Sequence, residues 1–306
     1  MNIKKKFLSM ILIAALIVTS FTGFAGNTRV HAAESDGEIT VYVSISDKGD
    51  VVVRQQSVEV TDVDDDGALT IADALYCAHE KYYKGGAAAG YAAEEGQYGL
   101  GLTKLWGDES FNFGYYVNDN MAWSLTDPIA DRDYVTAWIY KQMIFNEDGS
   151  MTSDAYSFFN TRVYSAKKGA TKKLSLSYYV YDENWNLVAQ PAKNAVITIG
   201  NKPTEITTSK KGKFSLSFNK SGSYFVSAFN ENDDPVLVPP TLVIFIQPDK
   251  GEVIEVKNKK YTVTKNGKVK TDKKGKVTFS KSANNGKSAP KTIEYAGVTY
   301  KVKVVD

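Results

Sequence analysis

Four carboxylates, Asp62, Asp64, Asp66 and Asp73, occupy the one stretch of this chain whose residue types and spacing carry specific chemistry. They fall at positions 1, 3, 5 and 12 of the segment Asp62-Val63-Asp64-Asp65-Asp66-Gly67-Ala68-Leu69-Thr70-Ile71-Ala72-Asp73. Gly67 stands at position 6, where a chain wrapping an ion has to turn sharply. Leu69, at position 8, can pin such a loop to a core. Calcium takes about six to eight oxygen ligands. Three carboxylates, the Ala68 carbonyl, Thr70 or a water, and Asp73 would supply them. Four acids this close repel one another unless a cation lies between them. The plainer alternative is an Asp-rich turn followed by a helix cap, because Thr70 and Asp73 also have the spacing of a capping box.

The elements that must hold this loop follow from hydrophobic periodicity. Residues 38–45 and 51–60 alternate apolar and polar around the turn Asp47-Lys48-Gly49-Asp50 and read as strands. Ile71, Ala74, Leu75 and Ala78 recur at helical spacing, which predicts one helix over 70–83. After Gly85-Gly86 and an Ala-rich loop, strands are expected at 100–106, 113–117 and 134–140. Residues 33–141 thus read as an α+β domain with one helix, the loop 62–73 joining its second strand to that helix. A linker is expected at 142–156. Residues 157–248 carry short β-rich runs at 174–181, 195–200, 214–218, 223–229 and 241–246, the pattern of a β-sandwich. Residues 249–306 read as a small all-β module with Lys on its outer faces. The whole is a multidomain, mainly β chain.

Composition narrows the function classes. The 306 residues contain one Cys, Cys77, and two His, His31 and His79. One Cys makes no intrachain disulfide, and a structural zinc site of about four Cys/His ligands is excluded. Cys77 is expected to be a small buried hydrophobe and His79 a surface or boundary residue. Lys4-Lys5-Lys6, the mostly apolar run 7–18 and the exit Val30-His31-Ala32 have the layout of a secretory signal peptide, residues 1–32, cleaved near Ala32. Twelve residues fall short of the roughly 20 that cross a bilayer as a helix, so no transmembrane segment is expected in the mature chain. The location is then extracellular or at the cell surface. Residues 33–141 hold 20 acidic and 7 basic side chains, net −13, whereas 250–306 hold 5 and 15, net +10. In a secreted chain this Lys-rich end points to a solvated surface, or else to wall polyanions or membrane surfaces, and no nucleic-acid partner is expected.

Several segments resemble known modules. The loop and helix 62–73 are similar to one of the two calcium repeats of a dockerin, with Asp73 in place of the Glu that closes an EF-hand. Ala72-Asp73-Ala74-Leu75, Gly114-Tyr115-Tyr116-Val117-Asn118-Asp119 and Asp131-Arg132-Asp133-Tyr134-Val135-Thr136-Ala137-Trp138-Ile139-Tyr140 resemble the β-grasp module of the transcobalamin C-terminal domain. Asp119 and Arg132 replace two glycines of that pattern. Ala195-Val196-Ile197-Thr198-Ile199-Gly200 and Gly222-Ser223-Tyr224-Phe225-Val226-Ser227-Ala228 resemble an immunoglobulin-like or transthyretin-like bacterial repeat. The last 55 residues are similar to Lys-rich β-modules appended to clostridial surface proteins.

These features imply a secreted or surface-displayed, non-enzymatic binding or adhesion protein whose first domain is held by calcium. The chain lacks a Gly-x-Ser-x-Gly elbow, a P-loop and a His-Glu-x-x-His motif. Once His31 leaves with the signal, His79 is the only histidine. Acid pairs such as Asp131/Asp133 or Glu94/Glu95 are the enzyme alternative. The transcobalamin resemblance implies a different one, a corrinoid or glycan bound by Trp106, Tyr115, Tyr116 and Trp123. Aromatics at alternating positions also serve as ordinary core. A cobalamin titration tests the corrinoid reading, which requires the absorbance spectrum or the intrinsic Trp fluorescence to change. Both signals unchanged at millimolar ligand would end it.

Overall fold

The computed structural model describes residues 38–147, 151–230, 232, 235–264, 268–272 and 290–305. Residues 1–32, expected to be a signal peptide, therefore lie outside the described residues. The chain begins with an antiparallel hairpin, β1 (Ile39–Asp47) and β2 (Asp50–Val60). Lys48 and Gly49 join them at φ 48° and 98°, the left-handed geometry of a two-residue hairpin turn. Two helices follow, α1 (Ile71–Tyr82) and α2 (Gly86–Gly90). Then come β3 (Ala92–Gly96), β4 (Gly99–Lys104), β5 (Phe113–Val117), β6 (Asn120–Met121) and β7 (Tyr134–Ile139). The main sheet runs β2-β1-β7-β5-β6, and its central pair, β1 with β7, is parallel. A parallel pair needs a long crossover, and α1 lies within it.

Helix α1 covers one face of this sheet. Ile71, Ala74, Leu75 and Ala78 are buried against Val41, Val43 and Ile45 of β1 and Val135, Ala137 and Ile139 of β7. The two central strands place these residues at every second position, as the pleat requires. The expected strands and the expected main helix are present. The stretch after Gly85, expected to be a loop, is in part the one-turn helix α2. Residues 92–96 also form a strand, paired with β4 in a separate two-stranded hairpin outside the main sheet. Ala-Ala-Glu-Glu-Gly has low intrinsic strand preference, so pairing with β4 rather than propensity makes it a strand.

The stretch expected as a linker is also partly structured. It contains the hairpin β8 (Met143–Phe145) and β9 (Met151–Ser153) and the start of β10 (Ala155–Phe159). The second unit continues through β11 (Val163–Lys167), β12 (Lys172–Tyr181), β13 (Leu187–Pro191), β14 (Val196–Ile199) and β15 (Lys202–Thr207). It ends with β16 (Lys213–Leu216), β17 (Gly222–Phe229), β18 (Leu237–Val238) and β19 (Leu242–Gln247). One sheet runs β13-β12-β10-β18, with β16 on β12, and the other runs β11-β19-β17-β14-β15. Leu174, Leu176, Phe214, Ile197, Val226, Leu242 and Ile244 join their inner faces into one core. A third unit has β20 (Val253–Val256), β21 (Lys259–Thr264), β22 (Lys268–Asp272), β23 (Thr292–Tyr295) and β24 (Val298–Val305). These five make a single sheet with its own small core around Tyr261 and Tyr300.

The face of the first sheet that α1 leaves open is buried as well. Trp138 of β7, pointing away from the helix, is only 2% exposed. Tyr156 of β10 and Val238 of β18 cover it. Tyr116 of β5 stacks on Tyr156 with ring centroids 4.2 Å apart. Gly114 sits under the Trp138 ring, where a Cβ would meet the indole at 2.2 Å. A bulge in β2 turns Gln55, at φ 48°, toward the second unit. Its amide donates to the Arg162 carbonyl (3.1 Å), and its oxygen accepts from the Thr241 hydroxyl (3.2 Å). At one edge Asp119 accepts from the Tyr156 hydroxyl (2.7 Å) and pairs with Arg162. Burial pushes the Tyr156 hydroxyl above its ordinary pKa, so it stays a donor.

Asp119→Gly, which suits the φ of 64° at this turn position, is therefore expected to cost about 1–3 kcal/mol, since it removes a half-buried ion pair and leaves Tyr156 without its acceptor. Tyr156→Phe, which keeps the ring stack, should cost about 1 kcal/mol. Urea denaturation measures both. A change under about 0.5 kcal/mol in Asp119→Gly would assign the junction to ring packing alone.

Candidate metal loop and the aromatic residues

The Asp-rich loop runs from the end of β2 to the start of α1. Ligand oxygens of Asp62, Asp64 and Asp66 lie within 4.8 Å of one another. The loop's own backbone holds two of these carboxylates in place. Asp62 accepts from the Asp66 amide (3.2 Å) and the Gly67 amide (2.8 Å), and Asp66 accepts from the Ala68 amide (2.8 Å). Gly67, at φ 85°, supplies the sharp turn expected of position 6. The bond from the Gly67 amide is the main reason the Asp62 carboxyl sits below its ordinary pKa. Asp64 is raised, first by desolvation and then by the charges of Asp66 and Asp73. A cation at the centre of the three would relieve that repulsion, and three hard oxygen donors suit a dication of the calcium class.

Asp73 and Thr70 stand apart from this group of three and do a different job. Asp73 is 1% exposed, and both of its oxygens are engaged. One accepts from the Val63 amide (2.9 Å); the other accepts from the Thr70 amide (2.9 Å) and the Thr70 hydroxyl (2.7 Å). Thr70 is the N-cap of α1, and the capping box with Asp73 is complete. Asp73 thereby ties Val63, near the start of the loop, and Thr70, at the helix cap, to the helix. The expectation that it closes a ligand shell meets a carboxylate already filled by three donors. Leu69 is buried in the core as position 8 anticipates, and the Ala68 amide donates to Asp66. Thr70 also bridges Pro128, and the Leu69 carbonyl accepts from Ile129, so the loop's exit is bound to a second segment.

The four aromatics proposed for a ring ligand do not share a face. Tyr115 and Tyr116 are neighbours in β5 and so point to opposite sides of the sheet. Tyr115 and Trp106 pack against the core under α1. Tyr116 belongs to the junction with Tyr156 and Trp138. Trp123 is 64% exposed and lies apart from both clusters. Asp131 and Asp133 are likewise engaged structurally. Asp131 accepts from the Thr40 amide (3.1 Å), and Asp133 accepts from the Asn118 side chain (2.6 Å) and the Ala130 amide (2.8 Å).

Cys77 is half-buried against the core rather than fully enclosed, and its thiol is free. His79 corrects the expectation of a surface residue: it is fully buried. Its Nδ1 bonds the Leu75 carbonyl at 2.7 Å, and its Nε2 accepts from the Trp106 amide at 3.0 Å. Those partners fix the neutral ring with its proton on Nδ1. Tyr83, Tyr91 and Trp106 surround it with ring centroids between 5.3 and 6.1 Å away. His79 lies four residues after Leu75 on the buried stripe of α1, and Tyr91, at the end of α2, and the turn at Trp106 cover it.

Burial lowers the His79 pKa below its ordinary 6.5. The unfolded chain therefore binds a proton below that pH which the folded chain refuses. Stability should fall as pH drops through about 6.5, by at most about 1.4 kcal/mol per pH unit, and level off above it. His79→Phe should flatten this slope and cost roughly 1–3 kcal/mol at neutral pH by orphaning the Trp106 amide. Urea midpoints across pH 5–8 provide the readout; an unchanged slope in the variant would assign it to other groups.

Among the described residues no helix is long and apolar enough to cross a membrane. Comparison of the chain with protein-family models and with curated proteins finds no match.

Proposed function

We propose that this is a secreted or cell-surface, non-enzymatic binding or adhesion protein whose N-terminal domain is stabilised by calcium. The observation that carries the reading is the convergence of Asp62, Asp64 and Asp66 within 4.8 Å on a loop whose ends are fixed by Asp73. In this reading the first unit is a β-grasp module of the transcobalamin C-terminal type. Its hairpin, crossover helix and central parallel pair support that assignment. The second unit is an immunoglobulin-like spacer, and the third a small Lys-rich module. The cation would join three carboxylates, the Ala68 carbonyl and water, and would hold the start of α1 against the sheet. The partner is an extracellular glycan or wall polymer. Engagement of Asp131 and Asp133 by backbone and amide donors supports a structural role for the acid pair that would otherwise suit hydrolysis.

Thermal melts with calcium and with chelator test this. At ten times the dissociation constant, about 10⁻⁴–10⁻³ M for extracellular sites, binding should add about 1.4 kcal/mol to the first domain. Asp66→Ala should abolish that increment. Asp65 sits at φ 59°, so Ala there would add strain unrelated to the ion. Asp65→Asn is the cleaner control, and it should keep the increment. Equal melting temperatures with calcium and chelator would reduce the loop to an Asp-rich turn.

A further inference from the structure

The third unit's strands run in the order β20-β21-β22-β24-β23. One face of this sheet is its core, where Ile254, Tyr261, Val263, Ile293 and Tyr300 are buried and Val302 packs against them. Strand alternation puts the residues between these on the opposite face. Lys301 holds such a position and is exposed. β22 and β24 are parallel neighbours in which Val269 is level with Val302, Lys268 with Lys301 and Lys270 with Lys303. Four lysines therefore occupy two adjacent rows of the outer face. Such rows lie about 4.8 Å apart, and alternate residues recur about every 7 Å along a strand. Both spacings are shorter than the Debye length of about 8 Å. Like charges directly opposite in a sheet are destabilising, so the fold carries two such pairs at a cost.

Edge protection does not account for these lysines. Lysine is a common guard on edge strands, but β22 and β24 each have a neighbour on both sides. The edge strands are β20 and β23, and they carry Glu255 and Glu294 instead. Asp272, at the far end of β22, is the one acid in the two central strands. Glu252, just before β20, is turned to Lys168 of the second unit (2.6 Å). The junction with that unit uses the core face and its turn. The Tyr295 hydroxyl donates to the Ser221 carbonyl (3.0 Å), and the Ala296 carbonyl accepts from the Gln247 amide (2.8 Å). It therefore does not consume the lysine face. All 15 bases of residues 250–306 are Lys. A lysine ammonium is a compact point charge without the planar fork of Arg, so a purely lysine face reads charge density rather than the shape of one anion. Tyr261, Tyr295 and Tyr300 all belong to the core side. The lysine rows thus lack the aromatic neighbours that anchor a protein in a membrane surface or stack on nucleic-acid bases.

We propose that the outer face bearing Lys268, Lys270, Lys301 and Lys303 docks a flexible linear anionic polymer of the cell wall, one with a phosphate or carboxylate on each repeat. The inference rests on the reading of the chain as an extracellular binding protein and narrows its partner to a polyanion. The test uses the chain from residue 33 and isothermal titration in chelator. Long-chain inorganic polyphosphate and poly-glutamate serve as polymers. Dextran, vesicles of phosphatidylcholine with phosphatidylglycerol, and duplex DNA serve as comparators. Both polyanions are expected to bind, and dextran is not. With four charges engaged, affinity should fall about 50-fold between about 50 and 200 mM NaCl. Lys268→Gln, Lys270→Gln, Lys301→Gln and Lys303→Gln together should weaken binding about tenfold or more. The melting temperature of that variant should hold or rise, because two like-charge pairs are gone. The same charge removed from the second unit, by Lys210→Gln, Lys211→Gln, Lys213→Gln and Lys220→Gln, should change affinity by less than about twofold. Glu255→Gln with Glu294→Gln should tighten binding. The proposal is overturned if neither polyanion binds, if vesicles or duplex DNA bind more tightly than both, or if the two lysine variants lose affinity equally. A lower melting temperature in the first variant would also overturn it, by showing that those lysines serve the fold. The titration needs no calcium, so it can fail while the calcium melts succeed, and the reverse.

Discussion

Everything in the first two units depends on covering the second face of a sheet. Helix α1 buries one face of β1 and β7, and a single helix covers no more than that. The other face carries Ser44, Ser46 and Trp138, each under 5% exposed. An isolated first unit would present that indole and the Tyr116 ring to water, an apolar patch with a strong tendency to associate. The sandwich unit solves the problem with β10, β18 and residues 239–241. It stacks Tyr156 on Tyr116 and places the Thr241 hydroxyl against Ser44 at 3.1 Å. Ring pairs of this kind contribute about 0.5–1.5 kcal/mol each beyond area burial. Polar groups at the junction are matched rather than merely enclosed, as Gln55 with Arg162 and Thr241 makes plain. The junction is thus built like a domain interior and not like a tether.

That constraint also explains which parts were legible in the sequence. Alternation identified β1, β2, β5 and β7, because each has one face in the α1 core. The capping spacing of Thr70 and Asp73 located the start of α1 to the residue. Alternation says which residues share a face, but not what lies over it. Tyr116 was read as a ligand platform and Trp138 as part of a closing strand, and both turned out to be junction residues. The information needed was the position of Tyr156, which is about forty residues downstream in an expected linker. His79 failed for the same reason. It follows the buried Leu75 by one helical turn, and its cover is supplied by Tyr91 and by the turn at Trp106.

Asp73 illustrates a further limit of spacing arguments. Position 12 of a calcium loop and position N3 of a helix can be the same residue, and a carboxylate satisfies either rule. The structure spends both oxygens on Val63 and Thr70. The consequence for the loop is favourable preorganisation. Val63 and Thr70 are anchored to one buried group, so the three outward carboxylates are brought together before any cation arrives. Their mutual repulsion, felt most at Asp64, is then held in a frame that cannot easily open to relieve it. A frame of that kind raises the affinity of a site with few protein ligands, because the ion need not order the chain first.

The acidic loop and the β1–β2 turn occupy opposite ends of the same strand. β2 begins at Asp50, beside that turn, and ends at Val60, two residues before Asp62. Eleven residues at about 3.4 Å each place the two ends roughly 35 Å apart. The Debye length at physiological ionic strength is about 8 Å, so the charge of the acidic loop does not reach the β1–β2 turn. Any coupling would have to travel through β2 itself, and the Gln55 bulge interrupts that strand halfway. There β2 is fastened to the second unit by two hydrogen bonds, which isolates the hairpin turn from changes at the helix end. A cation at the loop would therefore add its stability at the helix end of the first unit, while the junction fastens the strand midway.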